Sequence, residues 1–263
     1  VTLTEDRDRI GNELAVALER HELDVWYQPE VDVGSGRVVA LEALLRWHHP
    51  SGELYEAGRF VGVAEDTGLI VGIGAWALSH ACTHAVTWRT LLGRTPPVLR
   101  VNLSEREVAD PGLLAALDAA LATGVAPEGL SLELAETALL PAAETPTVAA
   151  NLRGIHDRGV ALVVDRFGVG DGSLGLLRDL PVSVLKLDRG VVARITDDAA
   201  TRGLVAAVVA AAAVAGVEVI VQGVEEQSQA DALTELGLTS ATGYLFSGAV
   251  PAASISELLM LSR

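Results

Sequence analysis

Alternation limits what this chain can fold into more than any other feature. Eight short β-rich runs recur along it, at 25–33, 38–47, 98–104, 130–136, 161–167, 184–188, 219–224 and 241–246. The later runs are separated by stretches with helical periodicity, at 70–92, 105–122, 147–158, 198–215 and 225–236. Strands alternating with helices specify a parallel sheet covered by helices. The first two runs differ, because only a Gly34-Ser35-Gly36 turn signal lies between them, so they are expected to pair antiparallel. Eight strands over about 240 residues fit a (β/α)8 barrel. The fold class expected is therefore α/β, a modified TIM barrel with an antiparallel first strand. A doubly wound open sheet is the alternative. It is disfavoured because no glycine-rich phosphate fingerprint follows any strand. An amphipathic stretch at 3–22 reads as a leading helix, giving an expected division into a lead or linker helix at 1–22 and the barrel at 23–263. Residues 141–146 read as a loop.

Composition removes several function classes. Half of the 263 residues are apolar, which excludes a disordered chain. Cys82 is the only cysteine, which excludes a disulfide scaffold and favours a reducing, cytoplasmic setting. Nineteen basic residues face 35 acidic ones, a net charge of −16, so neither a nucleic-acid polymer nor an anionic membrane surface is an expected partner. The charged N-terminus is no signal peptide, and it lacks an initiator Met, as a piece of a longer protein would. The apolar run 203–224 is broken by Gly216 and carries Glu218 and Gln222, so it reads as a buried helix followed by a buried strand, with no membrane segment expected.

Polar residues gather at or near the C-terminal ends of the strands: Glu42, Arg46, Asn102, Glu133, Glu136, Asp165, Lys186, Asp188 and Gln222. In a barrel those ends form the active-site face. Charges inside strands need a reason, because burying an unpaired one is costly. Period-two alternation puts Glu42, Leu44 and Arg46 on one face, and Lys186 with Asp188 on another. Glu42, Asn102, Glu133 and Asp165 offer an all-oxygen set suited to Mg²⁺ or Mn²⁺. The alternative is a set of ion pairs in an acidic barrel mouth. Arg100 shares the parity of Asn102 and is expected to point inward. His80 and His84, four apart with Cys82 between, have a zinc-compatible spacing, but Cys82 would project from another face, so they read as ordinary helix residues. His48-His49-Pro50 reads as a structural turn, and Glu225-Glu226 as an acidic helix start.

The chain resembles the EAL domain, a bacterial family of cyclic di-GMP phosphodiesterases and their inactive relatives. The resemblance rests on Tyr27-Gln28-Pro29, Glu42-Ala43-Leu44-Leu45-Arg46-Trp47, Glu65-Asp66-Thr67-Gly68-Leu69-Ile70, Val101-Asn102-Leu103-Ser104, Leu132-Glu133-Leu134-Ala135-Glu136-Thr137, Leu185-Lys186-Leu187-Asp188, Gly223-Val224-Glu225 and Gly243-Tyr244-Leu245-Phe246, in that order. It implies a modified TIM barrel and hydrolysis of one phosphodiester of cyclic di-GMP to linear pGpG with two metal ions. It further implies that Glu42, Asn102, Glu133 and Asp165 hold the first metal and Lys186 positions the attacking water. By the same resemblance Arg46, Gln28, Leu44 and Asp188 meet the ligand, and Glu136 holds the loop 168–174. An upstream GGDEF or sensor domain and a homodimer are the partners it implies.

The departures shape the functional expectation. Active members carry Asp-Asp-Phe-Gly after the fifth strand, where this chain has Asp165-Arg166-Phe167-Gly168. A ligand of the second metal is replaced by a cation, so one Mg²⁺ or Mn²⁺ is expected and a second is not. Gln222 stands where the family has a carboxylate, Thr242 where it has a glutamine, and Asp171 where a tyrosine is common. The site is expected to be degenerate, the domain an inactive regulatory module that binds cyclic di-GMP. An active phosphodiesterase and a nucleotide-free scaffold are the alternatives. Arg100 or Arg166 is expected to supply positive charge where metal would otherwise sit.

Overall fold

A computed structural model describes residues 3–139, 145–168 and 180–261. Ten strands form one sheet: β1 (Leu23–Asp32), β2 (Val38–His48), β3 (Leu54–Glu56), β4 (Val98–Asn102), β5 (Leu130–Ala135), β6 (Ala161–Phe167), β7 (Val182–Leu187), β8 (Glu218–Val221), β9 (Ser240–Ala241) and β10 (Val250–Pro251). Eight of them close a ring in the order β1-β9-β8-β7-β6-β5-β4-β2 and back to β1. β1 runs antiparallel to both of its ring neighbours, and every other contact around the ring is parallel. Short strands β3 and β10 add to β2 and β1 outside the ring. The 34–36 turn does what its glycines predict: Gly36 takes a positive φ and donates to the Asp32 carbonyl, reversing β1 into β2.

The helices are α1 (Leu3–Ala17), α2 (Ala57–Thr67), α3 (Ile70–Leu92), α4 (Glu105–Val108), α5 (Leu113–Leu121), α6 (Glu136–Leu139), α7 (Pro146–Asp157), α8 (Arg189–Val192), α9 (Ala199–Ala215), α10 (Gln227–Glu235) and α11 (Ala252–Leu261). Strand alternation divides the core in two. Outward residues such as Val25 and Tyr27 join Leu78, Ala81, Cys82 and Trp88 of α3 in the main hydrophobic cluster. Inside the barrel, Val163, Val184 and Ile220 form a separate buried cluster. Each lies two residues before Asp165, Lys186 or Gln222 on its strand, so the β6–β8 side of the polar site rests on apolar residues. A third cluster ties α1 to β2, β3 and α2 through Ile10, Leu14, Trp47, Tyr55 and Phe60.

Several boundaries differ from the sequence-based expectation. The helix expected at 105–122 is two, because Asp110-Pro111-Gly112 interrupts it: Pro111 has no N–H to give, and Asp110 Oδ1 takes the Gly112 N–H at 2.6 Å. Helices α2 and α11 and strands β3 and β10 were not anticipated. The leading helix stops at Ala17, short of residue 22. The last barrel strand is two residues long, and after it Gly243 (φ +157°) lies against the Val224 backbone, where a Cβ would come within 2.0 Å of the carbonyl oxygen. Gly216 ends α9 in the left-handed conformation, as expected. Most of the loop expected at 141–146 lies outside the described residues. Among the described residues no helix is long and apolar enough to cross a membrane.

Candidate functional site

Inward-facing parity carries Glu42 from β2, Asn102 from β4, Glu133 from β5, Asp165 from β6 and Lys186 from β7 to one end of the barrel. Lys186 is fully buried at their centre. Its Nζ donates to Glu42 Oε2 at 2.7 Å and to both Glu133 oxygens at 2.8 Å. Asn102 Nδ2 donates to Glu42 Oε1 at 3.0 Å, and Gln222 Nε2 to Asp165 Oδ1 at 2.7 Å. The expected oxygen set and the expected ion-pair network are thus the same residues.

Their charges do not balance. Burial works against the Lys186 ammonium, but Glu133, Glu42 and Asp165 outweigh it and hold its pKa well above the usual lysine value. Burial pushes the Glu133 carboxyl up to about 8, against the pull of Lys186, with Glu42 and Asp165 adding to the rise. Glu42 is also opposed by burial, yet Lys186 and the Asn102 amide keep it below its ordinary value. Burial raises Asp165, with Lys186 opposing. Burial, with three carboxyl groups crowded around one ammonium that offsets less charge than they carry, keeps the proton on Glu133 up to about pH 8; with that proton displaced, an oxygen-lined set of this kind can receive a hard divalent cation.

Arg166 occupies a bulge. Val164 pairs with Leu185 and Phe167 with Leu187, so Asp165 and Arg166 together oppose Lys186 alone. Arg166 takes the left-handed conformation (φ +53°), and its side chain is 62% exposed, with Nε 3.6 Å from Asp165 Oδ2. It lines a cavity of about 720 Å³ together with Glu42, Asn102, Glu133 and Asp165, a volume typical of small-molecule sites. The cavity continues to Val61, Glu65 and Asp66 of α2.

Of the two arginines expected to supply positive charge at the site, Arg166 lies beside Asp165 and Arg100 does not reach it. Arg100 points inward but lies below the site, buried, with Nε donating to Glu30 Oε2 at 2.9 Å and Nη2 to Glu30 Oε1 at 3.0 Å. Nη1 donates to Ser131 Oγ at 3.3 Å. Its charge is answered by Glu30, a residue that sequence reasoning missed. The signal was available: Glu30 has the inward parity of Gln28 and sits in a strand interior.

The remaining positions are mixed. Gln28 stands opposite Glu42 in the β1–β2 register and donates to the Ser247 carbonyl at 3.1 Å, and Leu44 lines the cavity. Arg46 is buried, its guanidinium carbon 5.5 Å from the Trp26 ring centre and Nη1 donating to the Leu45 carbonyl. Asp188 falls beyond β7, so the face shared with Lys186 ends before it; its carboxylate instead caps α8, accepting from the Gly190 N–H at 2.7 Å. Thr242 is buried, and its backbone bridges Val221 and Val224. Glu136 is buried at the start of α6, with neither carboxylate oxygen hydrogen-bonded among the described residues. The loop expected against it, beyond Gly168, and Asp171 lie outside the described residues. His84 Nδ1 meets the Tyr27 hydroxyl at 2.7 Å, His80 stacks on Trp76 and meets the His84 ring edge-on, and Cys82 is buried; among the described residues these side chains form no metal-holding group. His49 joins Ser51 and Glu13 in a structural turn, as expected. Gln229 Oε1 accepts the backbone N–H groups of Glu225 and Glu226 at the start of α10.

Comparison with known proteins agrees with this architecture. The EAL domain family model matches residues 11–249. The bifunctional diguanylate cyclase/cyclic di-GMP phosphodiesterase MucR of Pseudomonas aeruginosa is 37% identical over 242 residues, covering 92% of this chain and 35% of that protein. This chain thus spans about a third of that relative. The solved structure of the PaMucR phosphodiesterase in its c-di-GMP complex is 35% identical with a TM-score of 0.87, covering 94% of this chain and 99% of that one. The EAL enzyme Bd1971, in a form with cAMP and cyclic-di-GMP bound, gives a TM-score of 0.91 at 25% identity, covering 98% and 70%. The closed barrel with its reversed first strand, the residues at its mouth and the matched span all place this chain in the EAL domain family.

Proposed function

We propose that this EAL domain receives cyclic di-GMP in a signalling protein and does not hydrolyse it. The observation that carries the reading is Arg166, whose guanidinium lies 3.6 Å from Asp165 at the cavity mouth. Glu42, Asn102, Glu133 and Asp165 would hold one Mg²⁺ or Mn²⁺, which relieves their excess negative charge. Such an ion supplies Lewis-acid contact to a phosphate oxygen. A second ion finds a cation where its carboxylate ligand should be.

Proton transfer is equally ill served. Lys186 stays protonated through its three carboxylate neighbours, so it donates and orients but cannot act as a base. Gln222 is an amide and takes no proton at neutral pH. Of the carboxyl groups, Glu42 and Glu133 already accept from Lys186, and Asp165 accepts from Gln222 and faces Arg166. Arg46, Gln28 and Leu44 are the positions that would meet the ligand by family resemblance, and of these Leu44 lines the cavity. A phosphodiester ligand entering a chain of net charge −16 needs cation or arginine help, which Arg166 and an ion held by the four residues would provide. An upstream GGDEF or sensor domain, a homodimer and a cytoplasmic setting belong to the same reading.

A catalytic reading is favoured by one specific observation, the 35% identity to a structure described as a phosphodiesterase. One experiment separates the two. Cyclic di-GMP is titrated by calorimetry with Mn²⁺ present, and the cell contents are then chromatographed. Saturable heat with intact ligand recovered supports the receptor. Recovered pGpG overturns it in favour of the enzyme, and no heat with no product leaves a protein-interaction scaffold.

A further inference from the structure

Below the proposed cation site the barrel holds a second charged layer that the site itself does not use. Arg100 and Glu30 are both buried and joined by a two-point contact, with side chains 6% and 1% exposed. A guanidinium offers a planar fork that matches one carboxylate at a time. Two carboxylates are within its reach. Glu30 holds it at 2.9 and 3.0 Å, while Glu133 Oε1 is 4.0 Å from the same Nε. Glu133 is fully buried, and both of its oxygens already accept from Lys186. Ser131, two residues before Glu133 on β5, takes the third contact of the guanidinium and helps keep it low in the barrel.

We propose that Glu30 is a positioning residue that holds Arg100 off Glu133 and so keeps Glu133 open to a divalent cation. The inference rests on the one-metal reading of the site. The physical argument concerns where a buried arginine goes when its partner is removed. An unpaired guanidinium in the barrel interior is strongly disfavoured, so it moves to the nearest anion. That anion is Glu133, about one ångström beyond contact. Glu133 would then carry two cations, Lys186 and Arg100, and would have little left to offer a metal ion. The pair is therefore a clamp acting on a ligand, and the neutral removal of both members should be harmless to cation binding.

Glu30→Gln, Glu30→Gln/Arg100→Gln and the wild-type chain are compared for Mn²⁺ affinity, read from the loss of the free-ion electron paramagnetic resonance signal, with thermal unfolding recorded for each. Glu30→Gln should weaken Mn²⁺ binding by about tenfold or more, and the double variant should return to within about threefold of wild type. A merely structural role would leave the double variant no better than the single one, and that result overturns the proposal. So does wild-type affinity in Glu30→Gln. If Glu30→Gln does not fold, Glu30→Asp decides: its shorter chain draws Arg100 away from Glu133, and a loss of about tenfold there refutes the idea. If the wild-type chain takes up no Mn²⁺, the metal reading falls by itself. A crystal structure of Glu30→Gln then tests the clamp alone, with Arg100 hydrogen-bonded to Glu133 supporting it and Arg100 left in place overturning it.

Discussion

Arg166→Asp is the substitution that tests the proposed loss of the second cation most directly. The guanidinium Nε is 3.6 Å from Asp165 Oδ2, and the side chain is 62% exposed, so water screens it heavily. At a near-bulk dielectric of about 80, a unit charge and a divalent ion about 4 Å apart repel by roughly 2 kcal/mol. Reversing the sign of the side chain turns that repulsion into a similar attraction, a swing of about 4 kcal/mol, or nearly three decades in affinity. The backbone favours the change. Residue 166 is left-handed at φ +53°, a conformation that aspartate adopts more readily than most residues. Mn²⁺ stoichiometry by calorimetry should rise from one ion in the wild type to two in Arg166→Asp. Adding Gln222→Glu restores a second carboxylate, and linear product from cyclic di-GMP should then be detectable by chromatography. Two ions bound by the wild type, or equal hydrolysis by wild type and variants, would refute the argument that Arg166 closes the second site.

Three further outcomes follow from the same geometry. Lys186→Met leaves Glu42 and Glu133 without the ammonium that both contact, so it should cost about 3–5 kcal/mol in urea unfolding without metal, and Mn²⁺ should restore part of the loss. Glu107, buried with its carboxylate accepting from Ser104, has its pKa pushed up to about 7, chiefly by burial. Its folded value exceeds the unfolded one, so the folded protein binds the extra proton between about pH 4.5 and 7 and stability falls as pH rises through that window. Glu107→Gln should remove the dependence, matching wild type near pH 4.5 and exceeding it by up to roughly 3 kcal/mol at pH 8 in denaturant titrations. Gly243→Ala places a Cβ 2.0 Å from the Val224 carbonyl oxygen, so it should destabilise the chain by about 3 kcal/mol or more, visible as a lower thermal midpoint.

The barrel was legible because strand parity and helical period are local signals. Residues 70–92, read as one helix from periodicity, form one helix, and the glycine turn at 34–36 reverses the first strand as its residues require. The failures are also physical. Residues 57–67 begin with Ala-Gly after an extended Glu56 that makes no side-chain cap, so no start signal marks α2. At the eighth position the run 241–246 has strand composition, but Gly243 turns the chain against Val224 and ends the pairing after two residues. Tertiary contact, not propensity, decides that boundary.

Side-chain partners are a harder problem than side-chain direction. Parity placed Arg100 inside the barrel, and it is inside. Parity could not choose among the anions there, because Glu30 is 70 residues away in sequence and Glu133 is nearer in sequence at 33. The choice depends on the register that closes the barrel, in which β2 stands between β1 and β4, Glu30 pairs with Ala40, Glu42 pairs with Arg100, and the Glu30 carboxylate reaches Arg100 across β2. The difference is chemical as well as geometric. Had Arg100 paired with Glu133, the inner layer would hold its own charge balance and offer nothing to a cation. Because Glu30 takes both hydrogen bonds of the Arg100 fork, Lys186 is, among the described residues, the cation hydrogen-bonded to Glu42 and Glu133, with Arg166 beside Asp165, and that arrangement underlies the cation site proposed for the mouth of this barrel.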